Sequence, residues 1–166
     1  STGTENVLMG GNTGIALTTG IRNVAIGHNA LGAEDGHGYN VAVGNRALQN
    51  LNAGADAYNT AVGNQAGQAM TTGTYNTVIG GLAGDALTTG SDNTAVGYGA
   101  LSSEDAHGKN TAIGRYALLT LNAGSDSANT AVGYDAGRAV TTGIRNTLIG
   151  AWAGDAITSG GYNVAV

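Results

Sequence analysis

Short apolar bursts alternate with Gly- and Asn-rich stretches along the whole chain. Each burst is a pentad that opens on Asn. It continues with Val or Thr, then Ala, Val or Leu, then an aliphatic residue or Met, and closes on Gly. Pentads begin at Asn6, Asn23, Asn40, Asn59, Asn76, Asn93, Asn110, Asn129 and Asn146, and a tenth begins at Asn163. The intervals are 17, 17, 19, 17, 17, 17, 19, 17 and 17 residues. A 19-residue interval returns every fourth coil, which makes a larger repeat of 70 residues with copies at 23–92 and 93–162 and partial copies at both ends. About 40 of the 70 positions are identical between the two copies. A fixed period of this length signals a solenoid. The expectation is a single repeat domain, 1–166, of about ten coils. The chain starts and stops inside coils, so it is expected to be a window on a longer array, or to have its ends covered by other structure.

Within the pentad the second position is always β-branched, and the fourth reads Met9, Ile26, Val43, Val62, Ile79, Val96, Ile113, Val132, Ile149, Val166. Side chains alternate along a strand, so positions two and four share a face. That face is expected to line the coil interior, with Met9 to Ile149 as the structural core. On this basis Val96→Asp or Ile113→Asp abolishes folding. The third position is mostly Ala, with Leu8, Val78 and Leu148 every fourth coil. Apolar residues on both faces imply that both are covered, and the Ala face is expected to meet a second copy of the chain. The Gly after each strand reads as a corner where φ is positive or a Cβ would clash. The recurring Asn is expected to form a ladder between coils.

A second apolar segment follows. Position eight is Ala from Ala30 to Ala153, while position nine alternates in pairs, Leu31 and Leu48, Gly67 and Gly84, Leu101 and Leu118, Gly137 and Gly154. Coils with Gly at nine carry Met70, Leu87, Val140 or Ile157 at twelve; among those with Leu at nine, Glu34 and Glu104 stand at twelve. One large side chain replaces another, as a packed layer of constant volume requires. A helical alternative fails at this density of Gly and β-branched residues. The fold expected is therefore all-β, a parallel β-solenoid or β-roll with coils of 17–19 residues.

Composition narrows the function. Of 166 residues 30 are Gly, none is Pro, Cys or Phe, and only 10% are charged. An Ala-rich coil buries little apolar surface by itself, marginal against chain entropy. Homotrimerisation is the preferred remedy, and a self-sufficient monomer the alternative. The net charge of −5 with six Lys and Arg argues against a nucleic-acid partner and against charge-driven membrane binding. No apolar run reaches spanning length. Absence of Cys excludes disulfides and thiolate zinc sites.

The stretches Asn23-Val24-Ala25-Ile26-Gly27-His28-Asn29-Ala30 and Asn93-Thr94-Ala95-Val96-Gly97-Tyr98-Gly99-Ala100 resemble the head repeats of YadA-like trimeric autotransporter adhesins. They are more similar still to the "NTAVGYxAL" arrays of phage tail fibres and bacterial surface fibres. The resemblance spans the whole chain. It implies a trimer of left-handed parallel β-rolls, an extracellular or virion location, and attachment to a host or surface through a receptor. Coils here are longer than those of the YadA head, which implies different loop geometry.

Candidate sites follow from residues outside the repeat frame. Tyr98, Tyr116, Tyr134 and Trp152 recur every 18 residues just after the corner Gly, where the first copy has His28, Arg46, Asn64 and Leu82. Stacked aromatic faces hold sugar rings; the bland alternative is that they cover the rod or pack between protomers. Glu34-Asp35-Gly36-His37 recurs as Glu104-Asp105-Ala106-His107. Carboxylates beside His are weak candidates for a cation, against a polar loop replacing the Thr-Thr-Gly turn of other coils, and no metal or other cofactor is assigned. Thr18-Thr19, Thr71-Thr72, Thr88-Thr89 and Thr141-Thr142 suggest an ice-binding face, but the array is interrupted, and turn hydrogen bonding is the stronger assignment. Asp35, Asp85, Asp105 and Asp155 are the repeated acids available to a polysaccharide depolymerase. The expectation is a non-enzymatic shaft or head segment of a trimeric surface or virion fibre. A carbohydrate-binding module on the same fold is the alternative.

Overall fold

A chain dense in Gly and β-branched residues cannot satisfy its backbone within helices, so its hydrogen bonds must run between coils. The computed structural model describes residues 2–166 and contains no helix among them. Ten short strands form one parallel sheet whose spatial order is the chain order. They are β1 (Val7–Met9), β2 (Val24–Ile26), β3 (Val41–Val43), β4 (Thr60–Val62), β5 (Thr77–Ile79), β6 (Thr94–Val96), β7 (Thr111–Ile113), β8 (Thr130–Val132), β9 (Thr147–Ile149) and β10 (Val164–Ala165). Each strand lies in register on the next. Val41 meets Thr60 and Val43 meets Val62, so the longer coils expel their two extra residues without shifting the ladder. The fold is the expected parallel β-solenoid. At about 4.8 Å between parallel strands, ten rungs span roughly 45 Å.

The face that turns inward is the opposite of the one expected. Ala25, Ala42, Ala61, Val78, Ala95, Ala112, Ala131 and Leu148, all at the third pentad position, are buried. The residues assigned to the core point outward instead: Met9, Ile79 and Ile113 are exposed, and Ile26, Val43, Val62, Val96, Val132 and Ile149 are half-buried. The loss of folding expected from Val96→Asp or Ile113→Asp therefore does not follow. Two physical reasons set this parity. The coil is narrow, and Leu31, Leu48, Leu51, Met70, Leu87, Leu101, Leu118, Leu121 and Val140 already fill its interior from the second segment. The strand opposite has room for Ala only, except where Val78 and Leu148 pack against the space left by Gly84 and Gly154. Asn also shares parity with the third position, and its side chain has to be inside to tie the coils.

The Asn ladder is continuous. The backbone N–H of each Asn from Asn23 to Asn163 donates to Oδ1 of the preceding Asn at 2.8–3.1 Å. In the 17-residue coils Nδ2 donates to the carbonyl fourteen residues on, as from Asn59 to Gly73 at 2.8 Å and from Asn76 to Gly90 at 2.9 Å. In the 19-residue coils the insertion moves that carbonyl, and Asn40 and Asn110 donate back to Gly38 and Gly108. The corner Gly is required on both grounds expected of it. Gly97 has φ +132°, and a Cβ there would sit 2.5 Å from the Gly114 carbonyl oxygen.

The exchange of large side chains between positions nine and twelve also holds. A Cβ on Gly67 would lie 3.0 Å from Leu48 Cδ2, and one on Gly84 would lie 2.8 Å from Leu87 Cδ1. Every residue at position nine has positive φ, including Leu31 (50°), Leu48 (48°), Leu101 (54°) and Leu118 (50°). A left-handed Leu costs about 1–2 kcal/mol. Full burial of its side chain contributes about 1.5–3 kcal/mol, enough to offset that strain.

Candidate functional site

Position seven, like position nine, is held at positive φ, with Tyr116 at 60° and Trp152 at 57°. In a regular strand positions six and seven would point to opposite faces. Here the left-handed residue swings its side chain back beside the ring at position six of the neighbouring coil. Tyr98 and Tyr116 meet edge to face with centroids 5.6 Å apart, and Tyr134 and Trp152 do the same at 5.6 Å. Arg115 joins the two pairs. Its guanidinium lies 3.9 Å from the centre of the Tyr116 ring and 5.6 Å from that of Tyr134, and it donates to the Tyr134 hydroxyl at 2.9 Å. The Arg138 guanidinium also approaches Tyr116, 5.4 Å from the ring centre. The four aromatic residues singled out from the sequence therefore form one continuous ridge. Tyr98, Tyr134 and Trp152 remain 44–59% exposed.

Beside the ridge opens a groove of about 400 Å³ lined by Thr120, Asp135, Arg138, Ala139, Trp152 and Asp155. Asp135 forms its floor. It is 5% exposed, its Oδ2 lies 3.4 Å from Arg138 Nη1, and its Oδ1 is buried without a hydrogen-bond partner. An exposed indole with the Arg138 guanidinium and the exposed Asp155 carboxylate beside it supplies what a sugar ring requires: an apolar face and hydrogen-bonding groups at its edge. Asp135 and Arg138 were missed in the sequence, although both differ in kind from their counterparts one copy earlier, Gln65 and Gln68. There the same surface is an amide ladder. Asn64 donates to Asn45 at 3.3 Å, Gln65 to Gln68 at 2.7 Å and Gln68 to Gln49 at 3.1 Å.

A second aromatic column was also missed. Tyr39, Tyr58 and Tyr75 precede the Asn of successive coils and stack with centroids 4.7 and 5.7 Å apart and nearly parallel planes. The signal was coil position, one residue before each Asn. Stacking covers the ring faces between neighbours, while Tyr58 and Tyr75 remain 48% and 59% exposed. Arg22 caps the column, bonded to Glu5 at 2.7 Å and to the Tyr39 hydroxyl at 2.6 Å.

The remaining candidates are dispersed. Glu34 and Glu104 are buried, Asp35 and Asp105 exposed, and His37 and His107 half-exposed; each trio brings one ligand atom per residue within 4.8 Å of the others. Asp85 is half-buried, with Oδ1 unpartnered, and burial pushes its carboxyl up from the ordinary range. Asp155 belongs to the groove. Threonine hydroxyls bond the carbonyl of the following coil, Thr18 to Asp35 at 2.9 Å, Thr71 to Thr88 at 3.2 Å, Thr88 to Asp105 at 2.7 Å and Thr141 to Thr158 at 3.3 Å. These bonds run from coil to coil and not within the turn that was expected to hold them. No helix among the described residues is long and apolar enough to cross a membrane. Comparison with protein families, with curated proteins and with solved structures finds no match to this chain.

Proposed function

We propose that this chain is a shaft or head segment of a homotrimeric fibre at a cell surface or on a virion, and that it serves attachment to a host or surface. The observation that carries this reading is the outward strand face. Along ten rungs positions two and four present only Val, Thr, Ile and Met, from Val7 to Val164, with no charged residue. Those two positions lie about 7 Å apart and the sheet is roughly 45 Å tall, which gives an uncharged strip on the order of 300–400 Å², aliphatic or Met along position four and Thr in six of ten rungs along position two. A strip of this size equals the largest apolar patch of an ordinary monomer, and such patches are often contact surfaces. Three copies turned toward a common axis bury on the order of 1,000 Å² summed over three pairwise contacts, so residues flanking the strands must join each contact for it to reach the size of a stable interface. A left-handed coil sense belongs to the same reading. The role is mechanical, without catalysis: a stiff extracellular rod spaces or displays a receptor-binding surface. Sedimentation equilibrium of the intact chain tests it. A trimer is expected, and a monomer at micromolar concentration overturns it.

A second function is favoured by the ridge and its groove: the segment itself binds a cell-surface carbohydrate. Tyr134 and Trp152 supply the platform, Arg138 and Asp155 supply the polar contacts, and Asp135 holds Arg138 from below. A glycan array should show binding by the parent chain and loss in Trp152→Ala and Tyr134→Ala. No binding by the parent removes this function and leaves the spacer role standing.

A further inference from the structure

We propose that the two Glu-Asp-His turns are each a site for a divalent transition-metal ion, one in each 70-residue copy. At position twelve every other complete coil places an aliphatic residue or Met: Leu17, Leu51, Met70, Leu87, Leu121, Val140 and Ile157. Glu34 and Glu104 instead send a carboxylate toward that layer, and both side chains are 0% exposed. A carboxylate in such a place is costly unless it is compensated. The protein supplies only part of that compensation. Oε1 of Glu34 accepts the His37 backbone N–H at 3.0 Å, and Oε1 of Glu104 accepts that of His107 at 3.2 Å. Oε2 has no partner in either copy, and His37 Nδ1 is buried and unpartnered as well.

The imidazole adjoins the partnered oxygen of the same carboxylate. Nδ1 of His37 lies 3.4 Å from Glu34 Oε1, and Nδ1 of His107 lies 3.2 Å from Glu104 Oε1, within hydrogen-bond reach. Asp35 and Asp105 bring a third ligand atom within 4.8 Å of these. One imidazole and two carboxylates around one point form a mixed N/O set. The imidazole selects zinc, cobalt or nickel over calcium and magnesium, which prefer oxygen alone. Three protein ligands leave coordination positions open to water, as in zinc sites with three protein ligands. The His side chains are 32% and 26% exposed, so an ion reaches the site from solvent. The trio recurs although the intervening residue changes from Gly36 to Ala106 and 30 of the 70 positions differ between copies. A bound cation would neutralise the buried carboxylate and pin each turn against the coil below, where Thr18 and Thr88 donate to the Asp35 and Asp105 carbonyls.

The experiment is titration of the metal-stripped full chain with Zn²⁺ by calorimetry, repeated with Co²⁺ to read visible absorption from the coordinated ion. Two ions per chain are expected, with a rise in melting temperature that chelator reverses. His107→Asn should leave one ion. His37→Asn with His107→Asn should weaken binding at least tenfold at both sites while circular dichroism stays that of the parent. Glu34→Gln with Glu104→Gln should abolish binding and melt no lower than the metal-free parent, since it removes two buried charges. Fewer than one ion bound per chain at millimolar Zn²⁺ overturns the proposal. So does undiminished affinity in the double His variant, or equal affinity for Ca²⁺.

Discussion

Asn76→Ala removes a side chain that ties together three coils. Asn76 is 1% exposed. Its Oδ1 accepts the Asn93 N–H at 2.9 Å, and its Nδ2 donates to the Gly90 carbonyl at 2.9 Å with Met70 Sδ nearby at 3.7 Å. Alanine strands that N–H and that carbonyl inside the coil. Each unsatisfied backbone group costs about 1–3 kcal/mol, so the expected loss is about 2–6 kcal/mol, toward the lower end if water enters the vacated space. Asn76→Asp separates the two bonds. It keeps an acceptor for Asn93 but sets a carboxylate oxygen against the Gly90 carbonyl, with no cation to compensate. At pH 7 it should be the worse variant. As pH falls the carboxyl takes up a proton, can donate to Gly90 again, and should recover stability past the alanine variant. Urea unfolding followed by circular dichroism measures the loss. Because solenoid stability is mostly nearest-neighbour, amide exchange should accelerate first at Asn93 and in β5 and β6. An alanine variant within about 0.5 kcal/mol of the parent, or an aspartate variant that outlasts it at pH 7, would refute the ladder as a source of stability.

Ala112→Asp and Ile113→Asp, one residue apart, should part company. The first buries an unpaired carboxylate and should cost several kcal/mol, enough to unfold the chain; the second replaces a side chain already 38% exposed, should cost about 1–2 kcal/mol and should leave a folded chain that sediments as a monomer. A folded Ala112→Asp or an unfolded Ile113→Asp restores the discarded parity. Gly97→Ala, with its Cβ against the Gly114 carbonyl, should lose about 2–4 kcal/mol. Gly54→Ala should lose about 1 kcal/mol, because φ is +70° but no atom lies within 4 Å of the new Cβ. Equal losses in thermal melts would show that the close approach is not what selects Gly. Asp85→Asn should raise the melting temperature at pH 7. Burial raises the Asp85 carboxyl above its usual 3.8, so its contribution to stability is full below that value and lost as pH rises through the folded one. The gain from Asn should therefore shrink as pH falls toward 4, and a gain that is constant with pH would contradict the assignment.

The frame of the molecule was legible because it depends on positions locked to the coil period. Asn76 or Gly97 has the same neighbours one rung above and below, so its recurrence alone stated that its role was contact between coils. Strand parity was harder. Val43 and Val62 are larger than Ala42 and Ala61, and the rule that larger apolar side chains go inside placed them there. That rule presumes an interior with space to fill, whereas this one is occupied by Leu48, Leu51 and Met70 from the opposite side of the coil. Two signals of the true parity were nonetheless present. Asn and Ala share a face, and only an inward Asn can reach both the next Asn and a carbonyl across the coil. The enlarged third positions Leu8, Val78 and Leu148 also fall in coils with Gly at nine, as they must if both side chains compete for one interior. For the ridge, the period of 18 picked out the rings but not their meeting, since that depends on the left-handed backbone at Tyr116 and Trp152. The Tyr39, Tyr58 and Tyr75 column was hidden for the converse reason. Its spacing is 19 then 17, irregular along the chain and constant only when counted from the following Asn. In a solenoid the coordinate that carries contact information is position within the coil, and departures from the chain's average period are themselves a record of what lies above what.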